Sequence, residues 1–361
     1  MEIFFSLVTD VRVQSYVRYK LSDILFIVVC GYICGYRDEE EIADFAAERA
    51  DFFAKYMVYE RMPCAATISN IMRALDPCEL ELCLHGIYVS VLSGAKPAPN
   101  SQICIDGKTI CGANSIHIVT ALLADFRFSI GQMVVGENSN EIIAVRELLD
   151  MLTLENRVVT TDAMHCQEET LTKIIEKKGD YVVQVKRNHR GFYEDIEGLF
   201  KFNEISETHQ TVDKQHGRIE TRTCKVLPDE FVDKKYFSKW NGLKKIFLIE
   251  RKTEKKGVVS EEISYYISSK DTSAENLLSY ARKHWQIESF HWIMDVIMGE
   301  DSSFVRDKSA QFCLNIIRKF AISAVKNYIE TQNPKKKSVS GNMRKALLNP
   351  THLEDMGLNT L

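Results

Sequence analysis

The hydrophobic pattern of this chain changes near residue 98, and that change limits the folds that the chain can adopt. Before residue 98, apolar residues recur at intervals of three and four, as at Ile42, Phe45 and Ala46, which predicts helices. After it, short β-branched runs alternate with amphipathic segments, which predicts an α/β sheet with parallel neighbours. Two prolines within residues 96–100 predict a linker between the two parts.

The length of the chain, 361 residues, exceeds one ordinary compact core, so we expect several structural units. Residues 1–98 predict a small helical N-terminal domain, residues 99–203 the first part of an α/β core, and residues 204–270 a mostly β insertion. Residues 271–331 are expected to complete the core with long helices, and residues 332–361 to form a basic C-terminal tail.

The composition is that of a soluble globular protein, with 45% hydrophobic and 27% charged residues. The longest apolar run, 24–34, is shorter than the roughly 20 residues that span a bilayer, and the start of the chain does not resemble a signal peptide. Ten cysteines without a Cys-x-x-Cys pair are typical of reduced thiols, so we expect a cytoplasmic protein with no membrane contact. A net charge of -4 excludes a uniformly basic nucleic-acid coat but permits a local basic surface.

Asp106 and Asp162 each follow a predicted strand. Ile103 and Ile105 alternate with small or polar neighbours as in a half-buried strand, which is expected to end at Asp106. The β-branched run 157–161 likewise ends at Asp162. An Asp-Gly hairpin turn is the structural alternative at Asp106.

A long helix capped by Ser273 carries polar residues at spacings of four, three and four, which places them on one face. These residues are His284, Glu288, His291 and Asp295. We expect this face to line a wet or metal-bound site, and the aromatic side with Trp285 and Trp292 to pack against the core. A zinc site on the two histidines and the glutamate is the alternative, although the helix lacks the His-Glu-x-x-His order.

Together, two aspartates and a glutamate from distant segments form a ligand set for two hard divalent cations such as Mg²⁺. Two such ions about 4 Å apart can activate the attacking oxygen and stabilise the leaving oxygen of an in-line phosphoryl displacement. The carboxylates of Asp106, Asp162 and Glu288 should then converge to within roughly 10 Å.

Three further regions are candidates for contact with nucleic acid. Ser69, Asn70 and Arg73 lie where a helix-turn-helix would place its reading helix, although any small helical bundle has this pattern. Alternation along a strand places Arg218 and Arg222 on one face, as a nucleic-acid surface or as solvated charges. The basic tail begins with three consecutive lysines, which either bind phosphate or are solvated.

Several motifs, in order, resemble those of the DDE transposases of bacterial insertion sequences, and most closely the H-repeat-associated type. They cover the chain from about residue 21 to 346. The motifs are Ile-Asp-Gly-Lys at 105–108, Glu-Asn-Ser-Asn-Glu-Ile at 137–142, Thr-Thr-Asp-Ala-Met at 160–164, His-Gly-Arg-Ile-Glu-Thr-Arg at 216–222, and His-Trp-Gln-Ile-Glu at 284–288 followed by His291, Trp292 and Asp295.

The resemblance implies a ribonuclease H-like catalytic core that is interrupted by a β insertion. It implies that Asp106, Asp162 and Glu288 are the catalytic triad and bind two Mg²⁺ ions, for which Mn²⁺ can substitute. Related transposases often carry Tyr, Arg and Lys around the glutamate, where this chain has Ala281, His284 and Asp295. The predicted DNA contacts are Lys108, His216, Arg218, Arg222, His284, Lys335, Lys336 and Lys337.

The function implied is metal-dependent strand cleavage at the ends of an insertion sequence, with transfer of the freed 3'-hydroxyl to target DNA. The implied partner is double-stranded DNA, on which two copies of the chain assemble as a homodimer. An inactive or domesticated descendant that binds DNA without cutting it is the first alternative. A glycosidase with paired carboxylates is a third interpretation, and it would need neither basic surfaces nor a metal.

Overall fold

One mixed sheet of nine strands runs through the part of the chain that the computed structural model describes, residues 5, 8–91, 98–136, 139–215, 217–232, 237–335 and 338–357. The strands are β1 (Ser101–Ile110), β2 (Ile116–Leu123), β3 (Phe128–Val134), β4 (Arg157–Thr161), β5 (Asp180–Val185), β6 (Glu207–Gln215), β7 (Arg218–Val226), β8 (Lys245–Lys255) and β9 (Val258–Ser268). Their order across the sheet is β3-β2-β1-β4-β5-β9-β8-β7-β6. Neighbours β1, β4 and β5 are parallel and the other adjacent pairs are antiparallel, so the predicted α/β class is confirmed.

Strand β1 is longer than the sequence predicted because it has a different partner on each side. Against β2 it pairs as far as Ile110, opposite Ile116. Against β4 the pairing ends where Ile105 lies opposite Thr161. The expectation that the strand ends at Asp106 was therefore wrong, and so was the hairpin-turn alternative. Asp106 is the first residue of β1 beyond its parallel pairing.

Helices cover both faces of the sheet. Those before the sheet are α1 (Leu21–Cys34), α2 (Glu39–Glu48), α3 (Ala50–Phe53), α4 (Ala65–Ala74) and α5 (Pro77–Val91). Those within and after it are α6 (Glu141–Met151), α7 (Glu168–Glu176), α8 (Arg190–Phe202), α9 (Ala274–Val296), α10 (Lys308–Thr331), α11 (Val339–Leu348) and α12 (Pro350–Gly357). The predicted cap Ser273 accepts a hydrogen bond from the Asn276 backbone N–H at 3.4 Å, which fixes the start of α9.

Helix α10 is the centre of the larger hydrophobic core. Its Ile317 and Phe320 are buried with Leu25 of α1, Phe53 of α3 and Met72 of α4. The same core includes residues of β1, β2 and the C-terminal half of α9. The N-terminal helices thus share one core with the last helices of the chain.

The opposite face of the sheet is covered by α6, α7 and α8, whose Leu148, Ile174 and Ile196 are fully buried there. The N-terminal half of α9 lies in a third core, where Leu277 packs with Val182 of β5 and Phe247 of β8. Strands from the centre of the sheet and from residues 204–270 therefore contact the same helix. Through β9, which pairs with β5, the predicted β insertion extends the central sheet.

The segment predicted as a basic tail, 332–361, contains helices α11 and α12. Their Met343 and Leu353 are buried in the core around α10. In addition, Arg49 donates to the Leu347 carbonyl at 2.9 Å. The tail interpretation was wrong for the described part of this segment, since its apolar residues are needed to close that core. Among the described helices, none is both long and apolar enough to cross a membrane.

Candidate active site

Asp106 and Asp162 lie side by side at the centre of the sheet. Ile105 of β1 lies opposite Thr161 of β4, and each aspartate is the next residue along its chain segment. The two strands are parallel neighbours, which are spaced about 4.8 Å apart. Side chains alternate along a strand, so Asp106 points to the same face as Cys104, and Asp162 to the same face as Thr160. That face is the one that α9 covers.

Helix α9 runs along β1 in the same direction, and alternate residues of β1 meet successive turns of the helix. Gln102 Nε2 donates to the Tyr280 carbonyl at 2.9 Å, and Cys104 Sγ lies 3.5 Å from the Lys283 carbonyl. Further along, Asp106 Oδ2 lies 3.5 Å from His291 Nδ1, and Lys108 contacts Asp295. The polar face of α9 predicted from the sequence, which includes His291 and Asp295, therefore faces β1, the strand that carries Asp106.

Glu288 lies between these contacts on α9 and is exposed. Partial burial and the negative charge of Asp106 raise the pKa of Glu288, while the positive charge of Lys186 lowers it. On α9, Glu288 lies one turn after His284, which contacts Thr160, and one turn before His291, which contacts Asp106. The structure brings the helix of Glu288 beside the two aspartate strands.

The expected packing of the aromatic side of α9 was wrong. Trp285 is 57% exposed and Trp292 is 58% exposed. The residues that pack the helix are instead Leu277, Leu278, Ala281, Ile287, Phe290 and Met294, which are all buried. Aliphatic side chains, Ala281 and Phe290 pack α9 against the rest of the molecule, which leaves the two tryptophans exposed on either side of Glu288.

His284 lies beneath the aspartates and contacts the strand that carries Asp162. Gln102 Nε2 donates to Thr160 Oγ1 at 2.8 Å, and the Thr160 hydroxyl lies 3.1 Å from His284 Nδ1. Burial lowers the pKa of His284 although Asp106 and Asp162 act to raise it. Burial disfavours the charged imidazolium form, and the predicted DNA contact of His284 stays a prediction.

The family of the chain follows from comparison with known proteins. The family model described as "Transposase DDE domain" matches residues 94–324, and a companion model associated with that domain matches residues 3–86. The chain belongs to the DDE transposase family. The first match includes Asp106, Asp162 and Glu288.

Two relatives of this transposase match over nearly its whole length, and a third matches a short part of it. "Putative transposase YncI" of Escherichia coli O157:H7 is 34% identical over 98% of this chain and 93% of the relative. "H repeat-associated putative transposase YhhI" of Escherichia coli K12 is 32% identical over 96% of this chain and 95% of the relative. "Inactive transposase YbfQ" of the same strain is 35% identical over 19% of this chain and 81% of the relative. The predicted H-repeat-associated type is confirmed.

The carboxylates of this transposase suit a hard cation. DDE transposases generally use divalent metal ions. In the part of the chain that the structure describes, Asp106 and Asp162 have no Lys or Arg partner, and their side chains are 24% and 42% exposed. Among the same residues, no three His, Cys, Asp or Glu side chains are arranged to hold an ion by themselves, which supports neither the zinc alternative nor a closed three-carboxylate site. Mg²⁺ fits such an open set, because it usually binds one or two carboxylates and completes its shell with waters and phosphates.

A second carboxylate, Glu141 at the start of α6, lies on the other face of the sheet and was given no role by the sequence. It accepts hydrogen bonds from His117 Nε2 at 2.6 Å and from His165 Nε2 at 2.9 Å. The hydroxyl of Thr109 lies 2.8 Å from His117 Nδ1 and completes the chain of contacts. His165 is fully buried. The motif at 137–142 was the only sequence signal for this cluster.

Glu141 touches the backbone on both sides of the aspartate pair. Gly107 follows Asp106, and a Cβ at Gly107 would lie 2.4 Å from the Glu141 carboxyl carbon. His165 ends the short turn that Asp162 begins. One carboxylate therefore fixes the position of β1 relative to the turn after β4, and glycine at 107 leaves the space that this requires.

Lys108 was predicted to contact DNA, and the structure contradicts this. Its ammonium group contacts Asp295 and lies 2.7 Å from Glu300 Oε2, and its side chain is only 14% exposed. Burial alone would raise the pKa of Glu300, but the charges of Lys108 and Lys319 hold it below its ordinary value. Lys108 is committed to a buried ion pair and is not free to bind a phosphate.

Four arginines lie where β7 and β8 approach α9. Arg218 and Arg222 pair with Glu220 at 3.3 and 2.5 Å, Arg282 pairs with Asp213 at 2.7 Å, and Arg251 also contacts Glu220. These arginines line a cavity of about 370 Å³ with Trp285 at its edge. The predicted strand face is thus a mixed surface, in which carboxylates already neutralise part of the positive charge.

The structure describes only part of the other predicted DNA contacts. His216, Lys336 and Lys337 lie outside the described residues. Lys335 is exposed beyond the C-terminal end of α10, which approaches the β2–β3 turn through Glu330 and Arg127 at 3.8 Å. In the N-terminal helices, Asn70 and Arg73 are exposed on α4 and stay predictions.

Proposed function

We propose that this chain is a Mg²⁺-dependent DNA transposase that cleaves a strand at the end of an insertion sequence and joins the freed 3'-hydroxyl to target DNA. Asp106, Asp162 and Glu288 are the proposed catalytic residues, on a ribonuclease H-like core. The observation that supports this most is the pair of aspartates on adjacent parallel strands, with the glutamate helix packed across them and without Lys or Arg partners in the described residues.

Each carboxylate has a distinct part in this proposal. Asp106 and Asp162 present oxygen ligands from the sheet, where their separation is fixed by strand pairing. Glu288 presents its oxygen from the helix, so the distance between helix and sheet sets the width of the site. Divalent ions bound there supply activation of the attacking oxygen and stabilisation of the leaving oxygen.

His291 and His284 position the site without acting on the DNA. His291 Nδ1 lies 3.5 Å from Asp106 Oδ2, so it can limit the rotation of that carboxylate. His284 holds Thr160, the second residue before Asp162, through the hydroxyl contact at 3.1 Å. Both histidines therefore restrict where the aspartate oxygens lie before any substrate binds.

Cleavage of DNA from the flanks of the gene tests this function. The purified protein is incubated with a plasmid that carries the gene borders, in Mg²⁺, Mn²⁺ or excess EDTA, and free ends and joined products are mapped by sequencing. We expect cleavage at both borders and joining to new sites in either metal, with none in EDTA. DNA binding without cleavage in either metal would instead identify an inactive descendant, as the name of one relative says of that protein.

Assembly on DNA follows from the same proposal. An insertion sequence has two ends, so we propose that two copies of the chain hold the two ends together as a homodimer. Light scattering of the complex with border DNA should give two chains per pair of ends. A complex that contains a single chain and a single end at all concentrations would contradict this.

A further inference from the structure

A third side chain follows the carboxyl end of a central parallel strand, beside the two aspartates. Strand β5 is the neighbour of β4, with Val183 opposite Thr161, so β5 extends two residues beyond β4 and Lys186 follows it. Val182 packs with the residues of α9, so alternation along the extended backbone places Lys186 on that same face. The ends of three parallel strands thus present two acids and a base to one cleft.

Within the described residues, the fold does not neutralise the charge of Lys186. Lys186 is exposed, and within the described residues no carboxylate lies in salt-bridge distance of it. Lys108, Arg222 and Arg282, in contrast, are each paired with acids. Lys186 is therefore a cation at the end of the strand next to Asp162, and the fold leaves it available to bind a ligand.

Lys186 also opens a groove that leads away from the carboxylates. With Arg187 it lines a cavity of about 320 Å³ at the end of β5. This cavity shares Glu262 and Ser264 of β9 with the cavity of about 370 Å³ that holds the four arginines. The two cavities therefore form one groove that runs from Lys186 across β9 to a surface rich in arginine and lined by the exposed Trp285.

We propose that Lys186 binds a backbone phosphate of the DNA strand held at the carboxylates, and that the strand continues from there along this groove towards Arg251. The inference rests on the proposed function, because it takes DNA as the ligand. Three acids would repel a polyanion from the cleft, and a point charge on a flexible stem at its border suits a single phosphate. A bound phosphate would displace one condensed counterion.

The first measurement is the affinity for a fluorescent duplex of gene-border DNA, in EDTA, over a range of salt concentrations. Lys186→Gln should weaken binding about eightfold near 0.1 M salt and reduce the salt slope by about one unit, as expected for one lost phosphate contact. Lys186→Arg should restore both. Lys244→Gln is the matched control: Lys244 is exposed, and its backbone pairs with Ser268 near the start of β5, at the opposite end from Lys186. It should change neither quantity.

A second measurement locates the phosphate. Single methylphosphonates, which are neutral, replace each phosphate of the duplex in turn, and the wild type and Lys186→Gln are compared at every position. One position should weaken the wild type about as much as the substitution does and have little further effect on Lys186→Gln. Additive losses at every position, or a Lys244→Gln result equal to that of Lys186→Gln, would overturn the assignment.

The same duplex separates this inference from the proposed function. Cleavage in Mg²⁺ together with additive losses would refute only the role of Lys186. Non-additive losses at one phosphate without any cleavage would retain the phosphate contact and refute only the transposase activity. A wild type that does not bind the duplex would refute both.

Discussion

At the scale of single residues, the structure separates what the sequence could predict from what it could not. Asp106 and Asp162 could be singled out as candidate site residues because each follows a run of β-branched or alternating apolar residues that is typical of a strand. Glu141 could not be given a role, since its partners His117 and His165 are distant in sequence and meet it only through the sheet. The pairing of Lys108 was missed for the same reason, because Glu300 approaches it from beyond α9.

Glu141 should make stability depend on pH. Burial acts to raise the pKa of Glu141, but hydrogen bonds from His165 and His117 lower it below its ordinary value. Because the pKa of Glu141 is lower in the folded state, this carboxylate stabilises the fold. Its contribution to the free energy of unfolding is fully present above the unfolded pKa of about 4.3 and is lost as the pH falls through the folded pKa. Glu141→Gln should cost about 2 kcal/mol at pH 7 by urea denaturation, and the difference should shrink below about pH 4. A difference that is independent of pH would contradict this.

Gly107 should be intolerant of a methyl group. Gly107→Ala would place Cβ against the Glu141 carboxyl group, so we expect a loss of about 1–3 kcal/mol in the free energy of unfolding. Gly198→Ala is the matched control, since Gly198 lies within α8 with nothing within 4 Å of an added Cβ. That substitution should instead stabilise by up to about 1 kcal/mol. Equal effects would show that Glu141 moves away freely.

At the scale of secondary-structure elements, α9 shows what the spacing of residues along a helix can predict and what it cannot. The spacing of its polar residues correctly placed His284, His291 and Asp295 on the face towards the sheet, because helical geometry is fixed by sequence spacing. It could not indicate that Trp285 and Trp292 would be exposed, since that depends on how closely the sheet approaches the helix. The length of β1 depends in the same way on β2, a partner that local pattern does not specify.

The packing of α9 can be tested by truncation of two aromatic side chains. Phe290→Ala should lower the free energy of unfolding by about 3–5 kcal/mol, because Phe290 is fully buried in the core around α10. Trp285→Ala should cost less than about 1 kcal/mol, as expected for an exposed residue. Urea denaturation measures both. A larger loss at Trp285 would mean that the aromatic side packs after all.

At the scale of the whole molecule, the helices of residues 1–98 and the last three helices enclose one core around α10. The sequence predicted the α/β class and the alternation of strands and helices. It could not predict that the β-rich segment continues the central sheet, because pairing of β5 with β9 joins residues far apart in the chain. Shared burial across these segments implies that they unfold together.

Cooperative unfolding can be followed with two probes. The three tryptophans, Trp240, Trp285 and Trp292, all lie outside the N-terminal helices. Circular dichroism at about 222 nm reports on all helices of the protein. Tryptophan fluorescence reports only on the part of the chain from residue 240 onwards. We expect the two urea transitions to coincide. A helical transition without a fluorescence change would show that residues 1–98 unfold independently.

The measurement that tests the central claim most directly is cleavage of gene-border DNA by single carboxylate variants. Asp106→Asn, Asp162→Asn and Glu288→Gln should each lower the cleavage rate at least about a hundredfold, a loss of about 3 kcal/mol in transition-state stabilisation, while retaining DNA binding. Asp150→Asn is the matched control, because Asp150 is a mostly exposed acid that pairs with Lys173 at 2.6 Å. It should cleave like the wild type. Full cleavage by any of the three variants would contradict the assignment of these carboxylates as one catalytic site.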